Sequence, residues 1–175
     1  DKLVYSTDWS WMPQMWLDRG ERPPTPDVIV HPASTAEVSE IVKVANRHKV
    51  PLIPWGGGSG TQGGALPIHG GIMLDTKRMN RLIEINETSF TVTAEAGING
   101  GQLEWALNDR GMTLPHYPAS ANCATLGGYL APRGSGTISP TASARCRRAT
   151  ACRSSPAGTC TRCPSASASA SRSCA

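Results

Sequence analysis

Gly56, Gly57, Gly58, Ser59 and Gly60 follow directly on a short apolar segment, residues 50–54, with Trp55 between. Successive glycines let a backbone adopt positive φ and come close to a ligand, and their N–H groups can converge on an anion. That is the physical requirement of a diphosphate site. The run lacks the lysine of a GxxxxGK[ST] loop and does not fit GxGxxG opening a helix, so neither a Walker nucleotide site nor an NAD-type fold follows from it. Gly63 and Gly64 lengthen the flexible stretch. On residue types alone, a tight surface loop is the competing reading. Two histidines are candidate bases: His69, between Ile68 and Gly70, reads as a loop residue, whereas His116 stands beside the polar loop 118–124. Cys123 reads as a small packed residue, because no His or cationic side chain adjoins it.

The elements that must hold these residues are legible from periodicity and punctuation. Val28, Ile29 and Val30 form a β-branched run between Pro26 and Pro32, as suits a buried strand. Ser34 with Glu37 makes a capping box, and Val38, Ile41, Val42 and Ala45 share one helical face that should pack on that strand. Residues 50–54 are a second strand feeding the glycines. Residues 71–75 and 82–85 read as strands, and Phe90, Val92 and Ala94 alternate with polar neighbours as a half-exposed strand does. A second helix is expected over residues 101–110, with Leu103, Ala106 and Leu107 inward and Gly111 at a left-handed cap. A short helix or turn follows through Leu126, Gly127, Gly128 and Tyr129. The chain is mixed α/β with no internal repeat. Trp9, Trp11, Met12, Met15 and Trp16 are expected to pack as an arm over the core, since no basic residue interleaves with them to make a base-stacking platform.

The net charge of +4 and pI near 8.9 suggest an anionic partner until the charge is located. Residues 1–139 hold 11 Lys and Arg against 13 Asp and Glu, a net of −2; residues 140–175 hold six arginines and no acid. The basicity is therefore a property of the tail, and no nucleic-acid partner is expected. That tail contains no Val, Leu, Ile, Met or aromatic residue, so it cannot bury enough apolar surface to offset the entropy of ordering, and disorder is the expectation. Cys160 and Cys163 without a second pair do not make a zinc site, and no metal is expected. Ala, Ser, Arg, Thr, Pro and Cys are what a GC-rich gene yields out of frame, and a shifted reading frame beginning close to Ser139 accounts for the abrupt change. No apolar run reaches the roughly 18–20 residues of a membrane span, and the first residues lack the pattern of a secretory signal. With one cysteine in residues 1–139, the expected location is the cytoplasm.

Four strings in order, DVIVHPASTAEVSEIVKVANRHKVPLIPWGGGSGTQGG, LDTKRMNRLIEI, TVTAEAGINGGQLEWAL and LPHYPASANCATLGGYLAPRGSG, resemble the FAD-binding domain of the vanillyl-alcohol oxidase and p-cresol methylhydroxylase superfamily. The resemblance is strongest to its glycolate oxidase, D-lactate dehydrogenase and alkylglycerone phosphate synthase branches. It implies an α+β PCMH-type FAD-binding domain, the first subdomain and the start of the second, at residues 26–139. An N-terminal arm at 1–25 would precede it and the tail at 140–175 follow it. It implies that Pro54, Trp55, Gly56, Gly57, Gly58, Ser59 and Gly60 wrap the FAD pyrophosphate. Pro118, Ala119, Ser120, Asn122, Thr125, Gly127 and Gly128 would form a second flavin-contacting segment, and Pro132, Arg133, Gly134 and Ser135 a third. Relatives with covalent flavin carry a histidine near the end of the glycine loop, where this chain has Ser59, so FAD is expected to be non-covalent. An arginine common before the glycines in lactate-dehydrogenase-like relatives is Trp55 here. The implied activity is hydride transfer from a small 2-hydroxy acid, such as glycolate or D-lactate, to FAD. A synthase-like FAD transferase and an inactive truncated product with weak FAD binding are the alternatives. The family continues beyond the equivalent of Ser139 with more of the FAD domain and a substrate-binding cap, so no catalytic residue is carried over.

Overall fold

The computed structural model describes residues 2–134, together with Ala149–Thr150 and Cys152–Arg153. A 3-10 turn, Lys2–Ser6, and a short helix, α1 (Met12–Asp18), open the chain. Pro13 in the first turn of α1 suits a position whose N–H has no intrahelical partner. Strands β1 (Val28–Val30), β2 (Leu52–Trp55) and β3 (Ile72–Asp75) form a parallel sheet in the order β1-β3-β2. Trp55 stands opposite Asp75 and Val30 opposite Leu74, so the C-terminal ends of the three strands lie along one edge. Between β1 and β2 runs α2 (Thr35–His48). Its cap is the one the sequence encodes: Ser34 Oγ accepts from Glu37 N at 3.3 Å, and Glu37 Oε2 accepts from Ala33 N at 2.8 Å. Lys49 ends it at φ +54 in the left-handed region.

A second layer is antiparallel. Strands β4 (Leu82–Asn86) and β5 (Thr91–Ala94) pair with each other, with the register shifting between Leu82 and Glu84. Helix α3 (Gly100–Asn108) packs over them, with Leu103 and Leu107 fully buried and Gly111 at φ +65 beyond its end. Strand β6 (Met112–Thr113) and helix α4 (Leu126–Leu130) complete this half. In the tail, β7 (Ala149–Thr150) pairs with β5 and β8 (Cys152–Arg153) with β6. The remainder of the segment expected to be disordered, with Cys160, Cys163 and Ser139, lies outside the described residues.

The described residues form two cores. One gathers Val92, Ile98, Leu103, Leu107, Met112, Leu114, Ala124, Leu126 and Tyr129; the other, under the parallel sheet, gathers Tyr5, Trp55 and Met73 with Ile29, Ile53 and Ala65. Two expectations are corrected. Trp9 and Trp11 are exposed at 76% and 68%, and the arm is anchored instead by buried Tyr5, Ser6, Ser10 and Pro13. On α2 only Ala45 is buried, while Val38, Ile41 and Val42 are half-buried. A cavity of about 730 Å³ opens between the helix, at Ala36, Glu37 and Ile41, and the end of β1 at Val30, His31 and Pro32. Among the described residues no helix is long and apolar enough to cross a membrane.

Candidate diphosphate-binding site

The glycine loop leaves the C-terminal end of β2, the edge at which open parallel α/β sheets receive ligands. Gly56, Gly57 and Gly58 are required by the close approach of neighbouring atoms. A Cβ on Gly57 would lie 1.9 Å from the Cys123 carbonyl oxygen, and one on Gly56 would lie 2.3 Å from Thr125 Oγ1. Gly58 adopts φ +64 and backs onto the Trp55 indole, 2.5 Å from where its Cβ would be. The fold therefore seats the loop directly on residues 123–125, bringing together two segments that lie more than sixty residues apart in sequence. No hydrogen bond within the described residues engages the N–H groups of Gly56, Gly57, Gly58 or Ser59. A half-buried row of uncommitted amide donors, with no side chain to obstruct it, fits the negative oxygens of a diphosphate.

The second segment is held from below by α3 and α4. Asn99 caps α3, its Oδ1 accepting from Gly101 N at 2.9 Å and Gln102 N at 3.3 Å, while its Nδ2 donates to the Asn122 carbonyl at 2.9 Å. Gly100 N donates to Ala124 O, Leu126 N to Ile98 O and Gly127 N to Ala96 O, at 3.0, 2.9 and 2.7 Å, which stitches residues 124–127 to 96–100. Gly97 in turn crosses the turn after β3, since a Cβ there would lie 1.9 Å from Thr76 O. Residues 118–124 form tight turns in which Ser120 O accepts from Cys123 N and Ala124 N. Those turns bury Ala121 and Ala124 and turn Cys123 outward. The expectation of a packed Cys123 is corrected: its thiol is exposed and donates to Ser120 O at 3.3 Å, and it is the Cys123 carbonyl that packs against the loop.

The expected contact residues divide by what they do. Gly56, Gly57, Gly58 and Ser59 line the loop and are half-buried, and Pro54, Gly60, Ala119 and Asn122 are exposed. Pro118 and Ser120 are half-buried beside them. Trp55 is only 5% exposed, with its indole below the loop, and so acts as its floor. Thr125 is buried, and its Oγ1 accepts from Gly128 N at 3.2 Å as the cap of α4. Gly127 is needed for contact with Ala96, as a Cβ would lie 2.9 Å from the alanine methyl. Pro132 and Arg133 are exposed at the end of α4, where Gly134 N donates to Tyr129 O at 3.1 Å. Ser135 lies outside the described residues.

His69 is exposed, as its loop position implies. His116 is half-buried and meets Tyr129 edge-to-face, with ring centroids 4.6 Å apart. Burial lowers its proton affinity below the ordinary histidine value of 6.5, and burial likewise raises the Tyr129 phenol to about 12. Beside the loop, buried Asp75 accepts from Tyr5 Oη and Lys77 N, with Lys77 Nζ at 3.1 Å. Periodicity could not reveal this cluster. Asn99 ahead of Gly100, by contrast, carries a recognisable capping signal.

Fold and site together define a mixed α/β unit whose glycine loop leaves the end of a parallel sheet with the amides of Gly56, Gly57, Gly58 and Ser59 uncommitted among the described residues. The family described as an FAD binding domain matches residues 26–163, and the chain belongs to it. Three relatives illustrate its range. The chain is 34% identical over 105 residues to the glycolate oxidase subunit GlcD of Bacillus subtilis (strain 168), covering 60% of this chain and 22% of that protein. It is 35% identical over 112 residues to a probable mitochondrial D-lactate dehydrogenase of Danio rerio, covering 64% and 22%. It is 38% identical over 114 residues to an alkyldihydroxyacetonephosphate synthase of Dictyostelium discoideum, covering 63% and 19%. A solved structure of an alkyldihydroxyacetonephosphate synthase in space group P1 superposes with a TM-score of 0.70 at 33% identity, covering 77% of this chain and 28% of that one. The chain thus spans about a fifth of the length of these curated relatives.

Proposed function

We propose that Pro54, Trp55, Gly56, Gly57, Gly58, Ser59 and Gly60 hold the pyrophosphate of a dissociable FAD, with residues 118–128 as the opposing wall and 132–135 as a third contact. The observation that carries this reading is the seating of Gly56 and Gly57 on residues 123–125, which leaves their amides free to face an anion. Arg133, exposed beyond α4, adds a charge-assisted contact. Bound FAD would supply the redox chemistry, accepting a hydride from the hydroxyl-bearing carbon of a small 2-hydroxy acid. The glycolate oxidase and D-lactate dehydrogenase relatives support that substrate class. A second reading, an FAD transferase resembling alkylglycerone phosphate synthase, is favoured by the structural superposition at a TM-score of 0.70. In both, this chain's residues bind and orient the cofactor, and turnover belongs to parts of the relatives that the chain does not span. Residues 1–25 then act as an arm, 26–139 as the partial FAD domain and 140–175 as a tail, in a cytoplasmic setting. Titration of the full chain with FAD and with riboflavin tests the reading. Saturable FAD binding, much weaker for riboflavin, is expected, and equal affinity for the two would remove the pyrophosphate from the account.

A further inference from the structure

The N-terminal arm touches the glycine loop at two separated points. Tyr5, in the Lys2–Ser6 turn, lies edge-to-face with Trp55 at a centroid distance of 5.1 Å, and Trp55 is the floor of Gly58. Further along, Met12 Sδ and Ser10 Oγ lie 2.8 and 3.7 Å from the Cβ position of Gly63, which adopts φ +72. Tyr5 also reaches the loop by a polar route. Its hydroxyl donates to Asp75 Oδ2 at 2.7 Å, and the carboxylate is fully buried. Lys77 N donates to the other oxygen at 2.9 Å, with Lys77 Nζ at 3.1 Å and His31 Nδ1 at 3.6 Å from Oδ2. A buried carboxylate is tolerated only where donors surround it, so removing the Tyr5 hydroxyl takes away the shortest bond to Oδ2 and leaves that oxygen to Lys77 Nζ and His31 Nδ1. The residue after Asp75 fixes the start of the loop: Thr76 N and Oγ1 both donate to the Trp55 carbonyl, at 3.0 and 3.1 Å.

We propose that Tyr5 is a positioning residue for the diphosphate loop. Docking of the Lys2–Ser6 turn holds the Trp55 indole through the Tyr5 ring and the Trp55 carbonyl through Asp75 and Thr76. The backbone of Gly56, Gly57 and Gly58 is thereby set to receive an anion. What the loop receives rests on the flavin reading above; the coupling itself does not.

The test uses the full chain and Tyr5→Phe, which keeps the ring and removes the hydroxyl, with Trp9→Ala as an exposed control on the same arm. Without flavin, Tyr5→Phe is expected to move the amide resonances of Gly56, Gly57 and Gly58 and to speed Thr76 amide exchange, leaving Leu103 and Leu107 unchanged. FAD affinity is expected to fall about tenfold in Tyr5→Phe, the scale of one lost bond to a buried charge, and to stay at the parent value in Trp9→Ala. Loop resonances and Thr76 exchange identical to the parent would overturn the proposal. If the parent fails to bind FAD while the loop resonances still move, the flavin reading falls and the coupling stands. Should Tyr5→Phe not fold, denaturant titration of the parent decides: Tyr5 and loop signals leave their native positions together, and loop signals that persist after those of Tyr5 have gone would refute it.

Discussion

Gly57 is the residue of the glycine loop on which the geometry bears hardest. Replacing it with alanine drives a methyl into the Cys123 carbonyl, backbone against backbone, so the two segments must separate. Gly57→Ala is expected to cost about 1–3 kcal/mol of stability, as overpacking does, and to abolish FAD binding, measurable by urea unfolding and flavin titration. Ser59→Ala is the contrasting case, since it crowds nothing in the fold. His116 carries a pH dependence. Its proton affinity is lowered by burial, so the folded state favours the neutral ring. The associated stability is complete above the unfolded value of 6.5 and is lost as pH falls through the lower folded value. An NMR titration should place the His116 midpoint below 6.5. At this scale the sequence revealed the glycines, because conformational freedom is written in the residue type. It concealed Tyr5, Asp75 and the outward turn of Cys123, because a side chain's partner seventy residues away leaves no local pattern.

Among the elements, the caps link local stability to the site. Asn99 both caps α3 and holds the Asn122 carbonyl, so its loss frees the start of the helix and the wall facing the glycine loop. Asn99→Ala is expected to lower stability by about 1–2 kcal/mol and weaken FAD binding as well. Ser34→Ala, at a cap whose bonds stay within residues 33–37, should cost about 1 kcal/mol with FAD affinity unchanged. Equal effects of the two variants on affinity would show that α3 capping has no special relation to the site. Helices α2 and α3 were legible because apolar spacing and cap residues agree. β6, two residues long, and α1, whose cap position is Trp11 without a side-chain bond, carried no such signals. The stripe on α2 was read correctly as a helical face, yet its burial depends on what lies opposite, and there the structure has a cavity.

At the scale of the molecule, two cores meet at the glycine loop, one side supplying its floor through Trp55 and the other its wall through residues 123–125. The order of motifs carried the fold class, since a strand, helix, strand and glycine loop followed by an antiparallel pair fit few architectures. The sequence could not say how the halves meet, because close approach of Gly56 and Gly57 to residues 123–125 is a property of three-dimensional packing alone. On the FAD reading proposed above, Ser59 in place of a histidine leaves the cofactor dissociable, so flavin should pass a filter freely after denaturation of the loaded chain. The central claim is tested most directly by titrating FAD into the full chain and into Gly57→Ala while following flavin fluorescence and thermal stability. Saturable binding that raises the melting temperature of the parent and is absent from a folded Gly57→Ala is the expected result. Failure of a cooperatively folded parent chain to bind FAD, or undiminished binding by Gly57→Ala, would contradict it.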